Sequence, residues 1–160
     1  ETPLAPLSSI VAVLNMDMIG RNEEVQVGSG PRFNGLEVQT AEANANTLNM
    51  MGASRAPDVA KVMQAANAGI GLSLLPRYEN NASNLVRRSD QWPFLQRRIP
   101  ALFFTTGLHP DYHTPDDDVQ KINFAKMEKI VRLVTRMTWH LATAAAVPPF
   151  TDPAPESAAK

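Results

Sequence analysis

The sequence predicts an α/β fold: a partial, mixed or mostly parallel sheet flanked by helices and closed by one long C-terminal helix. Three observations point there. Two continuous apolar runs, residues 9–16 (SIVAVLNM) and 99–104 (IPALFF), have the β-branched or aromatic content of buried strands. Met127, Ile130, Val131, Val134, Thr138 and Leu141 recur with the period of a helix. Between these, strand-like and helix-like segments alternate, as they do when helices are layered on a sheet.

Size and composition fit one such domain. The chain has 160 residues, 44% of them apolar and 19% charged, enough to bury a core. A net charge of −1 gives no general attraction to nucleic acid or an anionic membrane. The basic cluster Arg87, Arg88, Arg97 and Arg98 lacks interleaved aromatic residues and reads as a solvated rim. No apolar window is long enough to span a membrane. Cysteine is absent, which excludes disulfides, thiolate metal sites and a cysteine nucleophile.

In chain order, residues 1–8 (ETPLAPLS) are proline-rich and read as a connector into the first strand. Gly20 ends that strand, residues 23–27 (EEVQV) are expected to return as a short second one, and residues 28–31 (GSGP) to turn. Residues 36–48 (LEVQTAEANANTL) are compatible with a weak helix. Pro57 and Asp58 suit the first turn of a better one, carried by Val59, Val62, Met63, Ala66 and Ile70 and ended by Gly69 and Gly71. Residues 72–76 read as a strand and the polar residues 77–88 as a surface loop. Asp90 is placed to cap the short turn holding Trp92 and Phe94. Pro100 opens the second apolar strand, where no ladder donor is lost. Asn123 caps the long helix, with Lys126, Glu128, Lys129, Arg132 and Arg136 on its solvent face. One domain is expected over residues 1–146, followed by a flexible Pro/Ala-rich tail over 147–160.

Two places concentrate chemistry. The loop after the second apolar strand (TTGLHPDYHTPDDD) crowds two histidines, a tyrosine and four aspartates, at the strand end where open α/β sheets place their sites. His113 reads either as a metal ligand oriented by neighbouring carboxylates or as a loop histidine bonded to an aspartate. His109 and His113 are four apart but separated by Pro110, so they are no helical zinc pair. Asp17 lies at the end of the first apolar strand. It either needs a partner or metal to offset burial, or caps a turn after a strand that stops at Met16. No serine has the setting of a nucleophile.

These blocks resemble the zinc-dependent aminopeptidases of the dizinc exopeptidase type. Residues 15–21 (NMDMIGR) resemble that family's N-x-D-M-I-G segment. Ser89-Asp90 with Pro93-Phe94, then Ile99-Pro100-Ala101, resemble S-D-H-x-P-F and G-I-P-A. Tyr112-His113-Thr114-Pro115 with Asp117 resembles Y-H-T-P-x-D. The likeness runs over residues 9–142 and departs at Gln91, where histidine is usual, and at Arg98, where glycine is. The resemblance implies peptide hydrolysis by a water held between two zinc ions about 3.5 Å apart, with a glutamate as general base. Asp17 would ligate one zinc and His113 the other, Tyr112 would donate to the developing oxyanion, and Asp90 and Asp117 would support the site.

That family's His-x-Asp pair and Glu-Glu pair, upstream of the first block, have no counterpart here. The resemblance therefore implies the C-terminal half of a zinc exopeptidase-like domain. Such a chain contains no general base, is silent alone, and tends to self-associate through an uncovered strand edge. Its partners would be a peptide substrate and the missing N-terminal half. The compartment stays open, although relatives are often exported. A single-zinc, glutaminyl cyclase-like acyltransferase and a truncated, non-catalytic binding domain are the competing readings.

Overall fold

A computed structural model describes residues 5–152. Four strands form one mixed sheet: β1 (Val13–Met16), β2 (Thr47–Met51), β3 (Ser73–Pro76) and β4 (Ala101–Thr105), in the order β1-β4-β2-β3. β1 runs parallel to β4, β2 antiparallel to β4, and β3 parallel to β2. The helices are α1 (Pro57–Ala66), the short α2 (Trp92–Leu95) and α3 (Phe124–Ala142). No helix among the described residues is long and apolar enough to cross a membrane.

The pleat separates two cores. Leu48, Met50, Leu102 and Phe104 point to one face, where Val59, Met63 and Ala66 of α1 and Ile130, Leu133 and Met137 of α3 cover them. Met51, Ala101 and Phe103 point to the other, against Leu85, Val86, Leu95 and Leu108. β2 and β4 are buried along their whole length. Each large side chain there contributes about 1.5–3 kcal/mol by leaving water.

Several expectations change. The first strand is confined to Val13–Met16, because Leu7–Ser9 closes a 3-10 turn instead. It lies at the sheet edge with only β4 beside it among the described residues, so its side chains are partly exposed. Residues 23–27 contribute one isolated bridge, Val25 to Gln39, and no strand. The weak helix over 36–48 does not form. Asn44 turns its amide onto the carbonyls of Glu23 and Thr40, and Asn46 onto that of Gly71, competing with helical bonds. Residues 47–51 then enter the sheet.

The buried face of α3 is rotated from the expected stripe. Lys126, Ile130, Leu133, Val134 and Met137 are inside, and Val131 is exposed. The loop over 77–88 is less superficial than its polarity implies, since Ser83, Leu85 and Val86 are buried. Asp90 does not cap α2; Gln91 holds the cap position and no side chain bonds there. Asn123 does cap α3, accepting from the Lys126 N–H at 3.0 Å. The expected flexible tail is anchored as far as the structure describes it: the Thr151 N–H donates to Arg55 O, and Arg98 pairs with Asp152. The expectations for residues 1–4 and 153–160 fall outside the described residues.

Candidate active site

The ends of β1 and β4 are held together beyond their ladder. The Asp17 N–H donates to Phe104 O, and the Thr106 N–H and hydroxyl both donate to Met18 O, at 2.9 and 2.8 Å. Asp17 is thereby fixed just past the strand, exposed to a cleft instead of buried in the sheet. The aspartate escapes the desolvation expected inside an apolar strand because that strand has already stopped.

Three polar side chains orient Asp17. The Ser89 hydroxyl donates to Asp17 Oδ2 at 2.6 Å. The Asn15 amide donates to Ser89 Oγ at 2.8 Å and to Gln91 Oε1 at 3.0 Å. Gln91 is fully buried and donates to Val86 O. Sequence reasoning named Asp90 as support, but Asp90 is exposed and makes no side-chain hydrogen bond among the described residues. Its neighbour Ser89 does that work, and the polar Asn15 inside an apolar strand was the available signal.

The second half of the site is the loop after β4. Arg21 grips it with both guanidinium nitrogens, one on Asp111 at 2.7 Å and one on Asp117 at 2.5 Å. Lys121 adds a contact to Asp111 at 2.9 Å. Hydrogen bonds from Arg21 and Lys121 hold the Asp111 carboxyl down at about 2. His109 is buried beneath the loop, with Nδ1 lacking any partner among the described residues. Burial lowers its pKa and the Arg21 cation adds to that, so at neutral pH it is an uncharged ring. Its Nε2 lies 3.7 Å from Asp117 Oδ2, a contact between a neutral ring and a carboxylate and therefore no salt bridge.

On this platform Tyr112 and His113 stack, with ring centroids 3.9 Å apart. His113 takes a left-handed backbone, φ 59°, and so does Met18 beside Asp17. Such conformations cost a non-glycine residue about 1–2 kcal/mol and persist where surrounding structure enforces them. One cleft of about 640 Å³ is lined by Asp17, Arg21, Tyr112, His113, Asp117 and Arg88, among others. The two candidate ligands, remote in sequence, thus line one wall system together with Tyr112 and Asp117. Against it lies a small apolar recess formed by Met18, Met51, Leu85, Phe103 and Leu108.

A carboxylate oxygen and an imidazole nitrogen are ordinary zinc donors, so the residues present fit that metal in kind. They do not fit in number. Among the described residues no three histidine, aspartate or glutamate side chains gather as a metal cluster.

The family model described as Peptidase family M28 matches residues 1–138. The LapA aminopeptidase of Legionella pneumophila is similar in structure, with a TM-score of 0.57 and 17% identity over 84% of this chain and 32% of that one. So is BSAP, a zinc aminopeptidase from Bacillus subtilis, with a TM-score of 0.52 and 20% identity over 88% of this chain and 31% of that one. The chain spans about a third of the length of these structures. No curated protein sequence matches it. At such identities the structural likeness speaks for the fold.

Proposed function

The chain belongs to peptidase family M28, and from that premise we propose that it supplies part of the active site of a zinc-dependent aminopeptidase. The observation that carries the proposal is the convergence of Asp17 and His113 on one cleft, at the ends of the paired strands β1 and β4. Each would hold one zinc ion of a pair, with the other ligands supplied from outside this chain. When bound, the metals supply Lewis-acid polarisation of the scissile carbonyl and a nucleophilic water at neutral pH.

This chain's own residues position and exclude. Ser89 and Asn15 fix the Asp17 carboxylate, which spares the site reorganisation when metal arrives. Arg21 fixes the loop that presents His113. The Tyr112 hydroxyl has no protein partner among the described residues and lines the cleft, so it is available to donate to the substrate carbonyl oxygen as charge builds there. The small recess of Met18, Met51, Leu85, Phe103 and Leu108 offers apolar surface beside the cleft for part of a substrate to lie against.

The general base and the remaining ligands come from outside this chain, across the open edge of β1. Two features support that placement. Met16 at the end of β1 and Val11 just before it are exposed, and Val11, Ala12 and Leu14 share an apolar groove with Thr138, Leu141 and Ala142 of α3. A strand joining there would pair the free edge and cover the groove.

The test measures zinc content and hydrolysis of aminoacyl-nitroanilides by the 160-residue chain and by the product of its whole reading frame. The longer protein is expected to bind two zinc ions and hydrolyse the substrates, and the short chain to do neither and to self-associate in sedimentation. In the longer protein, Asp17→Ala and His113→Ala should each weaken zinc binding about a hundredfold or more. Turnover by the short chain, or full metal binding in either variant, would overturn the proposal.

A further inference from the structure

Four arginines, Arg87, Arg88, Arg97 and Arg98, look alike in sequence as a rim of charge, and the structure separates one of them from the rest. Arg87 lies over the Trp92 ring at 5.0 Å. Arg97 donates to Pro93 O at 3.0 Å, and Arg98 pairs with Asp152 and covers Phe150. The Arg88 guanidinium has no hydrogen bond, ion pair or aromatic partner among the described residues. It lines both the open cleft and the apolar recess beside it.

Its backbone is fixed from both sides. The Arg88 N–H donates to Leu85 O at 3.0 Å, closing the 3-10 turn Leu85–Arg87. The next residue, Ser89, holds Asp17 at 2.6 Å. A cation is therefore tied, one residue along the chain, to the group that orients a candidate metal ligand. The other arginine of the cleft, Arg21, is already satisfied by Asp111 and Asp117, and Lys121 by Asp111. Arg88 is left as the cleft's unengaged fork of donors, a shape suited to bidentate binding of a carboxylate.

We infer that Arg88 determines specificity by binding a carboxylate carried by the peptide close to the scissile bond. This rests on the peptidase reading above. The carboxylate comes either from an acidic side chain or from the C-terminus of a short peptide, and the two sources are separable.

Two kinetic pairs test this in the metal-supplied product of the whole reading frame. Glutamyl- and leucyl-nitroanilide differ in the side-chain charge, and leucylglycine and leucylglycinamide in the terminal one. In one pair the charged substrate should be favoured in kcat/KM over its value in Arg88→Ala by about tenfold to a hundredfold. The neutral member should change less than about twofold, and Arg88→Lys should keep part of the preference. A binding measurement runs independently of turnover. The Arg88 Nε–Hε resonance is followed during titration with N-acetylglycine against its amide, and with glutamic acid α-amide against glutaminamide.

Shifts confined to one carboxylate probe identify the source and support carboxylate binding by Arg88, a result read without hydrolysis and so separable from failure of the peptidase reading. Hydrolysis with the same charge preference in Arg88→Ala and in the parent would overturn the inference and leave the peptidase reading standing. Equal response of Arg88 to acids and amides would overturn it as well.

Discussion

Two ionic networks grow from neighbouring residues, and they are built on opposite terms. Arg21 reaches outward to Asp111 and Asp117, which with Lys121 form a partly exposed clamp around the site loop. Glu23, two residues later, points inward and is completely buried. Its Oε2 accepts from Asn49 at 2.8 Å and from Arg77, and Oε1 has no partner among the described residues. Lys126 lies close by, buried, donating to Asn44 O at 3.1 Å. Burial pushes the Glu23 carboxyl up and the Lys126 ammonium down to about 8. In the outer network solvent screens each pair and the result is loop geometry. In the inner one desolvation opposes every charge, and removing one partner strands another.

The contrast is broken most directly at Arg77. Arg77→Met leaves the Glu23 carboxyl buried with one hydrogen-bond donor, and should cost about 3 kcal/mol in denaturant unfolding, whereas Glu23→Gln should cost less. Equal costs would place the inner network on the same footing as the outer one. Gly107 links the two networks, since it follows β4, leads into the site loop and presses on Glu23. Its φ is +83°, and a Cβ there would overlap the Glu23 carboxyl carbon. Gly107→Ala should therefore lose about 2 kcal/mol or more, and a silent substitution would show that the buried carboxylate can move aside.

Arg21→Gln sharpens the other side. Its stability cost should stay within about 1 kcal/mol per exposed pair, while hydrogen exchange over residues 109–118 accelerates, because the clamp chiefly fixes the loop. A stability loss as large as that of Arg77→Met would erase the distinction. The smallest effect is on acid stability. The folded Asp111 pKa is depressed, so its contribution is complete above the ordinary carboxylate value of 3.8 and is lost as pH falls from there through about 2. Unfolding measured across that window should flatten in Arg21→Gln. An unchanged acid limb would mean the clamp contributes nothing through Asp111.

Legibility in the sequence followed how local the cause was. β4, α1 and α3 announce themselves by apolar runs, a proline at the first turn and a capping asparagine. β2 does not, because Thr47–Met51 becomes a strand through β3 and β4, which lie far along the chain. The face of α3 was read one step out of register, since Lys126 counts as polar in any periodicity and is drawn inside by Asn44 O and Glu23. In the candidate site, Asp17, Tyr112, His113 and Asp117 line the same cleft; the chemistry of their segments marks Asp17 and His113, and the family resemblance adds Tyr112 and Asp117. The residues that orient them, Ser89, Asn15 and Arg21, act through contacts spanning most of the chain, which no local pattern encodes.

The pairing of β1 has a consequence for synthesis. Val13 sits beside Ala101, whereas Thr47 sits beside Ser73 with α1 between them. As the polypeptide leaves the ribosome, β2, α1 and β3 can assemble among themselves, while β1 meets the partner it has among the described residues only when β4 emerges. Among these residues β1 is the strand that waits longest for its neighbour, so a strand joining its other edge, as proposed above, would also shelter it during synthesis.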